Sequence, residues 1–273
     1  MPSFEVDVLV PTVGRVAELA VTLSGLAAQC GPSFRVVLSD QSDTGAALHA
    51  PVVVAMIDTL ERTGHPVDAL RHLPRRGLAE HRDFLLRRAS ADHVLFLDDD
   101  VWLEPGSLAR MRQAIADLGC GFVGCAPQGL SFLGDRRPEQ ERPFEPWPSA
   151  VQPERIRPGS AAVERWPLHS AANLAHIAAR LPLGDDDWLA YRVAWIGACV
   201  LYDRAALVAC GGFDFWSALP PGHAGEDVAA QWRLMERHGG AGLLPSGAVH
   251  LEAPTTVTDR RTDAPAVVFA GDA

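Results

Sequence analysis

The chain has 273 residues, of which 48% are hydrophobic and 21% are charged, and its formal net charge is -10. This balance is typical of a folded globular protein and excludes a disordered chain. The acidic charge argues against a nucleic-acid-binding protein, which needs a basic face. All 24 basic residues are arginines, so mechanisms that depend on a catalytic or phosphate-binding lysine are excluded.

The first half of the chain alternates strand and helix patterns. Short apolar runs end near Thr12, Asp40 and Asp98, and amphipathic segments with helical spacing separate them. We expect Ser107 to cap a further helix. Strands that alternate with helices predict an α/β fold with a mostly parallel sheet and helices on both faces. Ligands bind beyond the carboxyl ends of such strands, so Thr12, Asp40 and Asp98 are expected to converge there.

The second half of the chain is less regular. Residues 134–190 are rich in proline, arginine and glutamate, and we interpret them as an irregular surface excursion. Beyond Pro167 the sequence predicts a helix in HSAANLAHIAARL, a strand in YRVAWIGACVLYD, a helix in GEDVAAQWRLMERHGG and a strand in AGLLPSGAVHL. No composition shift marks a linker, so a single domain is expected.

Membrane and secretion signals are weak. The longest strongly apolar stretch, residues 193–202, is about half of the roughly 20 residues that a membrane-spanning helix needs. The first residues lack the cationic start and cleavage site of a signal peptide. Five single cysteines without a CxxC pair predict reduced, buried thiols. We therefore expect a cytoplasmic protein without a transmembrane segment, and leave peripheral membrane association open.

Three consecutive aspartates, Asp98–Asp100, follow the apolar run VLFL and are the strongest chemical signal. Adjacent carboxylates repel one another unless a cation lies among them, and oxygen ligands suit Mg²⁺ or Mn²⁺. In an extended strand Asp98 and Asp100 point one way and Asp99 the other, so Asp98 and Asp100 are expected to share a ligand. A solvated acidic turn is the alternative. It is the preferred interpretation of a second triplet, Asp185–Asp187, which follows no strand.

Six segments in order resemble the blocks of glycosyltransferase family 2, namely VLVPTVGR, VVLSDQSD, RGLAEHRDFLLRRA, VLFLDDDVWLEPG, WIGACVLYDRAALVACGGFD and GEDVAAQWRLMERHG. The resemblance covers roughly residues 4–251. It implies the GT-A fold, with a nucleotide-sugar-binding half at about residues 1–125 and an acceptor-binding half at about residues 126–273. The excursion at 134–190 and a C-terminal lid or tail after residue 252 match no block and belong to the acceptor half.

The resemblance implies that a sugar moves from a nucleoside diphosphate sugar to an acceptor hydroxyl, with inversion and with Mn²⁺ or Mg²⁺ as cofactor. UDP is the favoured nucleotide, and TDP and GDP stay open. The acceptor is not identified and is a glycan, a lipid-linked molecule or a small molecule.

The resemblance also implies roles for single residues. Donor contacts fall on Pro11, Thr12, Asp40, Gly77, Arg82, Asp98 and Asp99. The metal falls on Asp98, Asp100 and His250, and the acceptor side on Glu226 and Asp227, with Asp227 as the base. Arg15, Arg260 and Arg261 are further candidates for the diphosphate, because guanidinium groups bind phosphate with two parallel hydrogen bonds.

Physical reasoning supports these roles independently. A divalent cation neutralises the charge that grows on a departing diphosphate, and a carboxylate in reach accepts the proton of the attacking hydroxyl. Asp227 begins a predicted helix whose dipole favours its ionised form. Simple helix capping is the alternative for Glu226 and Asp227, and a polar strand end is the alternative for His250.

Two rival functions remain at this stage. A non-catalytic module that binds nucleotide sugars would have the same blocks, and the intact acidic motifs argue against it. A sugar-phosphate nucleotidyltransferase needs a glycine-rich loop with a basic side chain after the first strand. The segment VLVPTVGR is too short for such a loop and has no lysine.

Overall fold

The computed structural model describes residues 4–169, 174–184 and 187–272. The strands in these residues are β1 Val6–Thr12, β2 Phe34–Asp40, β3 Val67–Arg71, β4 His93–Leu97, β5 Val101–Leu103, β6 Phe122–Gly124, β7 Gln128–Gly129, β8 Leu189–Tyr191, β9 Cys199–Asp203, β10 Gly240–Leu244 and β11 Ala248–His250. The α-helices are α1 Val16–Ala27, α2 Ala46–His49, α3 Pro51–Arg62, α4 Leu78–Leu86, α5 Ser107–Leu118, α6 Pro138–Glu141, α7 Leu174–Ala178, α8 Arg204–Ala209, α9 Glu226–His238 and α10 Ala264–Val268. Short 3₁₀ helices cover Leu130–Phe132, Ala161–His169 and Asp214–Ala218.

An 8-stranded sheet forms the centre of the molecule, in the order β3-β2-β1-β4-β9-β6-β10-β8. Neighbours β3, β2, β1 and β4 run parallel, as do β6 and β10, whereas β9 and β8 run antiparallel to their neighbours. The predicted mixed, mostly parallel sheet is confirmed. A second, 3-stranded sheet has the order β5-β11-β7.

The sheet is buried on both faces because side chains alternate along its apolar strands. In β1, Val8 and Val10 pack into one core and Leu9 into the other. The first core also contains side chains of α1, α3 and α5, and the second contains side chains of α4, α8 and α9. Helices therefore cover both faces, as the alternation of elements predicts.

Three predicted elements differ from the structure. Ser107 does not cap its helix: it is the first helical residue of α5, after Gly106, and its hydroxyl donates to the Gly247 carbonyl at 3.3 Å. The segment YRVAWIGACVLYD is not one strand, because β8 ends at Tyr191 and β9 begins at Cys199. The segment AGLLPSGAVHL forms β10 and β11, which belong to different sheets.

The described part of residues 134–190 is irregular, as predicted, but it does not lie wholly at the surface. Ile156 and Leu168 are buried in the second core, and β8 pairs with β10 at the edge of the large sheet. The helix predicted in HSAANLAHIAARL is α7 where the structure describes it, and residues 170–173 lie outside the described part.

All five cysteines are free, but the prediction that they are buried is wrong for Cys30, which is exposed. In the part of the chain that the structure describes, no helix is long and apolar enough to cross a membrane.

Candidate active site

A cavity of about 890 Å³ opens beyond the carboxyl ends of the parallel strands. The lining includes the end of β1 and the turn after β4, which we call one wall, and the first turn of α9, which we call the other wall. The segment after β11, which we call the tail (residues 251–263), also lines the cavity, with Thr255, Val257 and Arg260 among its lining residues. The topology therefore places a large ligand site where the sequence predicts one.

The aspartate triplet lies in the turn between β4 and β5. The amide of Asp98 donates to the carbonyl of Ala198 at 2.8 Å, which fixes the turn against the residue before β9. Asp99 and Asp100 are almost fully buried. The predicted strand alternation is wrong, because the chain turns here: Asp99 and Asp100 both face Arg15, while Asp98 faces another arginine.

The guanidinium of Arg15 contacts two carboxylates of the triplet. Its Nη1 lies 3.0 Å from Asp99 Oδ1 and 2.6 Å from Asp100 Oδ2, and its Nη2 donates to the carbonyl of Pro254 in the tail. The hydroxyl of Thr12 donates to Asp99 at 2.6 Å. The cluster thus contains one guanidinium for two buried carboxylates, and this cation also ties down the tail.

Burial dominates the electrostatics of the triplet. It raises the pKa of Asp99 to about 6, against the opposing effects of the Thr12 hydroxyl and the Arg15 guanidinium. Burial likewise raises the pKa of Asp100, and the charge of Asp98 adds to this. Both carboxyls are therefore short of positive charge even with Arg15 in place.

Arg82 lies between the two walls of the cavity. Its Nη2 donates to Asp98 Oδ1 at 3.0 Å and its Nε donates to Glu226 Oε1 at 3.1 Å. The guanidinium side chain is only 4% exposed. The resemblance implies that Arg82 lies beside the diphosphate, whereas here it joins a donor-side carboxylate to an acceptor-side one.

Glu226 and Asp227 form the first turn of α9, after Gly225 with φ 79°. Glu226 is buried, and Asp227 is half-buried and lines the cavity. Burial raises the pKa of Glu226 and of Asp227, and Arg82 opposes both shifts. The sequence predicts that the helix dipole favours the ionised form of Asp227, but burial has the larger effect on its pKa. Since a base with a raised pKa binds a proton more strongly, this environment suits proton acceptance.

His250 ends β11 and faces the triplet, with Nε2 3.6 Å from Asp100 Oδ2. Its Nδ1 accepts a hydrogen bond from the Glu252 amide at 2.8 Å, so a neutral ring carries its proton on Nε2. In this arrangement His250 presents a donor to Asp100. To bind a metal through Nε2, the ring must first give up the Glu252 amide.

Two predicted donor residues lie outside the cavity lining. Asp40 is fully buried, and its carboxylate accepts from the Ser42 amide and hydroxyl, each at 2.7 Å. Gly77 precedes α4 with φ 104°, and a Cβ there would lie 2.5 Å from His223 Cε1. Both residues shape the loops beneath the cavity, and Pro11, Thr12, Arg15 and Arg82 line it.

The second triplet behaves as a turn where it is described. Asp187 accepts a hydrogen bond from the Gly184 amide at 2.8 Å, and Asp185 and Asp186 lie outside the described residues. Trp195 and His169 also line the cavity, with ring centroids 4.9 Å apart, and neither was predicted. Trp195 stands in the segment WIGACV, but nothing in the sequence signals His169.

Comparison with known proteins agrees with the predicted fold. The sequence profile of the family described as "Glycosyl transferase family 2" matches residues 7–169. An "Uncharacterized glycosyltransferase" of Haemophilus influenzae is 29% identical over 109 residues, which is 40% of this chain and 34% of that protein.

Solved structures with a similar fold include S. aureus TarS 1-349 in complex with UDP-GlcNAc, with a TM-score of 0.56, 14% identity, and coverage of 93% of this chain and 60% of that one. Another is the mannosyltransferase PcManGT from Pyrobaculum calidifontis in complex with GDP-Man and Mn²⁺, with a TM-score of 0.50, 16% identity, and coverage of 89% and 57%. The chain therefore spans about a third of the relative and less than two thirds of these structures. It belongs to glycosyl transferase family 2 and has the GT-A fold.

Proposed function

We propose that the protein transfers a sugar from a nucleoside diphosphate sugar to an acceptor hydroxyl, with inversion at the transferred carbon. The observation that carries this proposal is the single cavity with the aspartate triplet on one wall and the Glu226–Asp227 pair on the other. A donor with several phosphates and an acceptor need two such walls facing each other. The half at residues 1–125 serves the donor and the half at 126–273 serves the acceptor.

The donor lies along the end of β1. Pro11 and Thr12 line the nucleoside side of the cavity, and Asp99 is held beside them by the Thr12 hydroxyl. Asp40 and Gly77 support these loops from beneath, through the Ser42 and His223 contacts. UDP is the proposed nucleotide. The complexes named for similar folds contain UDP-GlcNAc in one case and GDP-Man in the other, so both nucleotides belong in the test.

The residues at the triplet fit a divalent cation in part. In the described residues, no group of three or more His, Cys, Asp and Glu side chains is arranged to hold a metal alone. Mg²⁺ commonly binds one or two carboxylates and completes its shell with substrate phosphates and water, and Asp98 and Asp100 supply such oxygens. Mn²⁺ or Mg²⁺ would neutralise charge on the departing diphosphate. His250 is a third ligand only after its ring rearranges.

Arg15 changes partners when the donor binds. In the structure it pairs with both Asp99 and Asp100 and donates to the Pro254 carbonyl of the tail. A guanidinium in this place is well suited to bind a diphosphate. A metal cation beside Asp99 and Asp100 would replace the positive charge of Arg15 there, so Arg15 could move to the phosphates. Arg260, which lines the same cavity, gives a second guanidinium near the phosphates, and Arg261 pairs with Asp259.

Asp227 accepts the proton of the attacking hydroxyl. It lines the cavity at the start of α9. Its Oδ2 faces Gly197, since a Cβ added to that glycine would lie 3.6 Å from this oxygen. Glu226, buried and held by Arg82, orients the acceptor side. The acceptor itself is a glycan, a lipid-linked molecule or a small molecule. The five free cysteines accord with a reducing compartment, and we place the protein in the cytoplasm.

A melting-temperature panel tests this function. UDP, GDP and TDP are each added with and without Mn²⁺, because a ligand that binds only the folded state stabilises it in proportion to ln(1 + [L]/Kd). We expect one nucleotide and the metal to raise the melting temperature together by more than the sum of their separate effects. Nucleotide sugars of the responding base are then assayed for turnover. Binding without turnover of any of them would favour a non-catalytic module.

A further inference from the structure

Arg82 occupies a position that the donor and acceptor roles leave unexplained. It is carried by α4, yet it contacts Asp98 after β4 and Glu226 at the start of α9. Its guanidinium also lies over the Phe96 ring, 5.4 Å from the centroid. A planar group held by two carboxylates and an aromatic face has one orientation, which fixes three elements relative to one another.

The charges around Arg82 do not balance. Asp98, Glu226 and Asp227 all raise the pKa of this one buried guanidinium, although burial acts in the opposite direction. Two carboxylates, one on each wall of the cavity, therefore share a single cation through direct hydrogen bonds. If either Asp98 or Glu226 binds another partner, the remaining carboxylate interacts with the Arg82 guanidinium alone.

We propose that Arg82 is a positioning residue that couples the donor site to the acceptor site. When Asp98 turns to the donor and its cation, Glu226 becomes the chief partner of Arg82 and the acceptor wall is fixed. Conversely, a Glu226 that is held by Arg82 leaves Asp98 freer to bind the donor. Such coupling is reciprocal, because it is a free energy shared by the two sites. This inference rests on the proposed donor site.

Two simpler roles for Arg82 are binding of the diphosphate and a purely structural contact. Each predicts a different change in nucleotide affinity from the coupling role. If Arg82 binds the diphosphate, Arg82→Gln must weaken the binding of UDP with Mn²⁺. If Arg82 only couples the walls, Arg82→Gln frees Asp98, and the affinity for UDP with Mn²⁺ stays the same or rises. If Arg82 is merely structural, Glu226→Gln has no effect on nucleotide affinity, since Glu226 lies on the other wall.

A double-mutant cycle measures this coupling by calorimetry. The affinity for UDP with Mn²⁺, and for GDP with Mn²⁺, is determined for the wild type, Arg82→Gln, Glu226→Gln and the double variant. In Glu226→Gln, Asp98 is the one remaining carboxylate that Arg82 binds directly, so Asp98 is held more strongly and is less free to bind the donor. We therefore expect nucleotide affinity to fall by about fivefold or more, the lower end of typical coupling. In the Arg82→Gln background the same Glu226 change is expected to shift affinity less than about twofold.

Arg35→Gln is the matched control. Arg35 also forms a mostly buried pair, with Asp7 at 2.9 Å, but at the amino end of β1, away from the cavity lining. This variant is expected to melt at a lower temperature and to bind nucleotide as the wild type does. Arg82→Lys keeps the charge without the fork-shaped donor set, and is expected to recover folding but only part of the coupling.

Equal effects of Glu226→Gln in both backgrounds, or weaker nucleotide binding by Arg82→Gln, would overturn the positioning role of Arg82. Should Arg82→Gln not fold, Glu226→Gln alone decides, because unchanged nucleotide affinity in that variant rejects the coupling. If the wild type binds neither nucleotide with Mn²⁺, the proposed function itself fails, and the coupling with it. Binding with no coupling rejects only the inference about Arg82.

Discussion

Arg15 occupies the place beside Asp99 and Asp100 where a metal would bring positive charge. We predict that Arg15→Gln binds Mn²⁺ more tightly than the wild type when no nucleotide is present. One unit charge at ~4 Å is worth about 4 kcal/mol at an effective dielectric constant of about 20, so an increase of tenfold or more is expected after screening. Calorimetry or Mn²⁺ electron paramagnetic resonance measures it.

The control for this change is Arg260→Gln. It removes the same charge from the same cavity, but Arg260 contacts Val257 and Thr255 instead of the triplet. Its Mn²⁺ affinity should stay close to that of the wild type. Equal gains in both variants would mean that Arg15 acts only through the general charge of the cavity, and not through the two aspartates.

Asp100→Asn tests the other side of this contact. The amide keeps the size of the side chain but removes one of the two predicted carboxylate ligands of the metal. Metal-dependent binding of UDP should therefore be lost, while the contact between Arg15 and Asp99 remains. The melting temperature with and without UDP and Mn²⁺ reports both effects. A variant that is stabilised by the pair of ligands as much as the wild type would exclude Asp100 from the metal site.

At the scale of secondary structure, the amino end of β1 is fastened by one carboxylate. Asp7 is fully buried and accepts from Arg35 at 2.9 Å and from the Ser90 and Ala91 amides at 2.6 and 3.0 Å. Asp7→Asn breaks a buried ion pair, so we predict a loss of about 3 kcal/mol in the free energy of unfolding. Chemical denaturation at pH 7 measures it.

The same carboxyl predicts the pH dependence of stability. Burial raises the pKa of Asp7, but Arg35 and the two amides outweigh burial, so the folded pKa lies below the ordinary value of 3.8. The contribution of Asp7 is therefore fully present above that value and is lost as the pH falls through the folded pKa. Asp7→Asn should lack this part of the acid transition. Parallel curves for both proteins below pH 4 would reject the assignment.

The long strands and helices of the first half are those expected from hydrophobic periodicity, because β1, β2 and β4 are apolar runs that end in turn residues. Short elements such as α2 and β5 were not predicted. The second half is different. In AGLLPSGAVHL the break at Pro245–Gly247 sends β11 to a second sheet, and sequence periodicity has no information about which sheet a strand joins. Residues such as Ile156 and Leu168 are buried by partners far along the chain, so their proline-rich surroundings suggested a surface loop.

The sequence predicts the residue types in the site better than it predicts which side chains contact one another. The sequence indicates carboxylates at strand ends and at the start of α9. Those after β4 and at the start of α9 line one cavity, whereas Asp40 at the end of β2 lies outside its lining. It does not indicate that the chain turns within the triplet, which brings Asp99 to Arg15, or that Arg82 lies between Asp98 and Glu226. Such pairings depend on the relative positions of α1, α4 and α9, which only the packed structure defines.

At the scale of the whole molecule, the tail lines the cavity and is held at both ends. The Ala224 amide donates to the Thr262 carbonyl at 3.0 Å and the Leu251 amide to the backbone carbonyl of Asp100 at 2.9 Å, and Arg260 and Arg261 lie just before Thr262. We predict that trypsin cuts at this pair in the free protein and more slowly with UDP and Mn²⁺ present. Mass spectrometry of the fragments over time gives the rates.

Arg75 and Arg76 provide an internal comparison, since they form a second exposed arginine pair in the loop before α4, outside the cavity lining. Their cleavage should not depend on ligand. Protection at both pairs would indicate a global gain in stability. Tail cleavage that ignores the ligands would exclude the tail as a lid.

The most direct test of the account is the turnover of Asp227→Asn against its donor affinity. The substitution keeps the size of the side chain but cannot accept a proton, so release of UDP from UDP-GlcNAc or of GDP from GDP-mannose should fall by about 10²–10⁴-fold. The affinity for the nucleotide with Mn²⁺ should change little, because Asp227 is proposed to contact the acceptor hydroxyl and not the donor or its metal. Glu226→Gln should instead weaken donor binding through Arg82. Near-normal turnover in Asp227→Asn, at unchanged nucleotide affinity, would contradict the assignment of Asp227 as the base and with it the proposed reaction at this cavity.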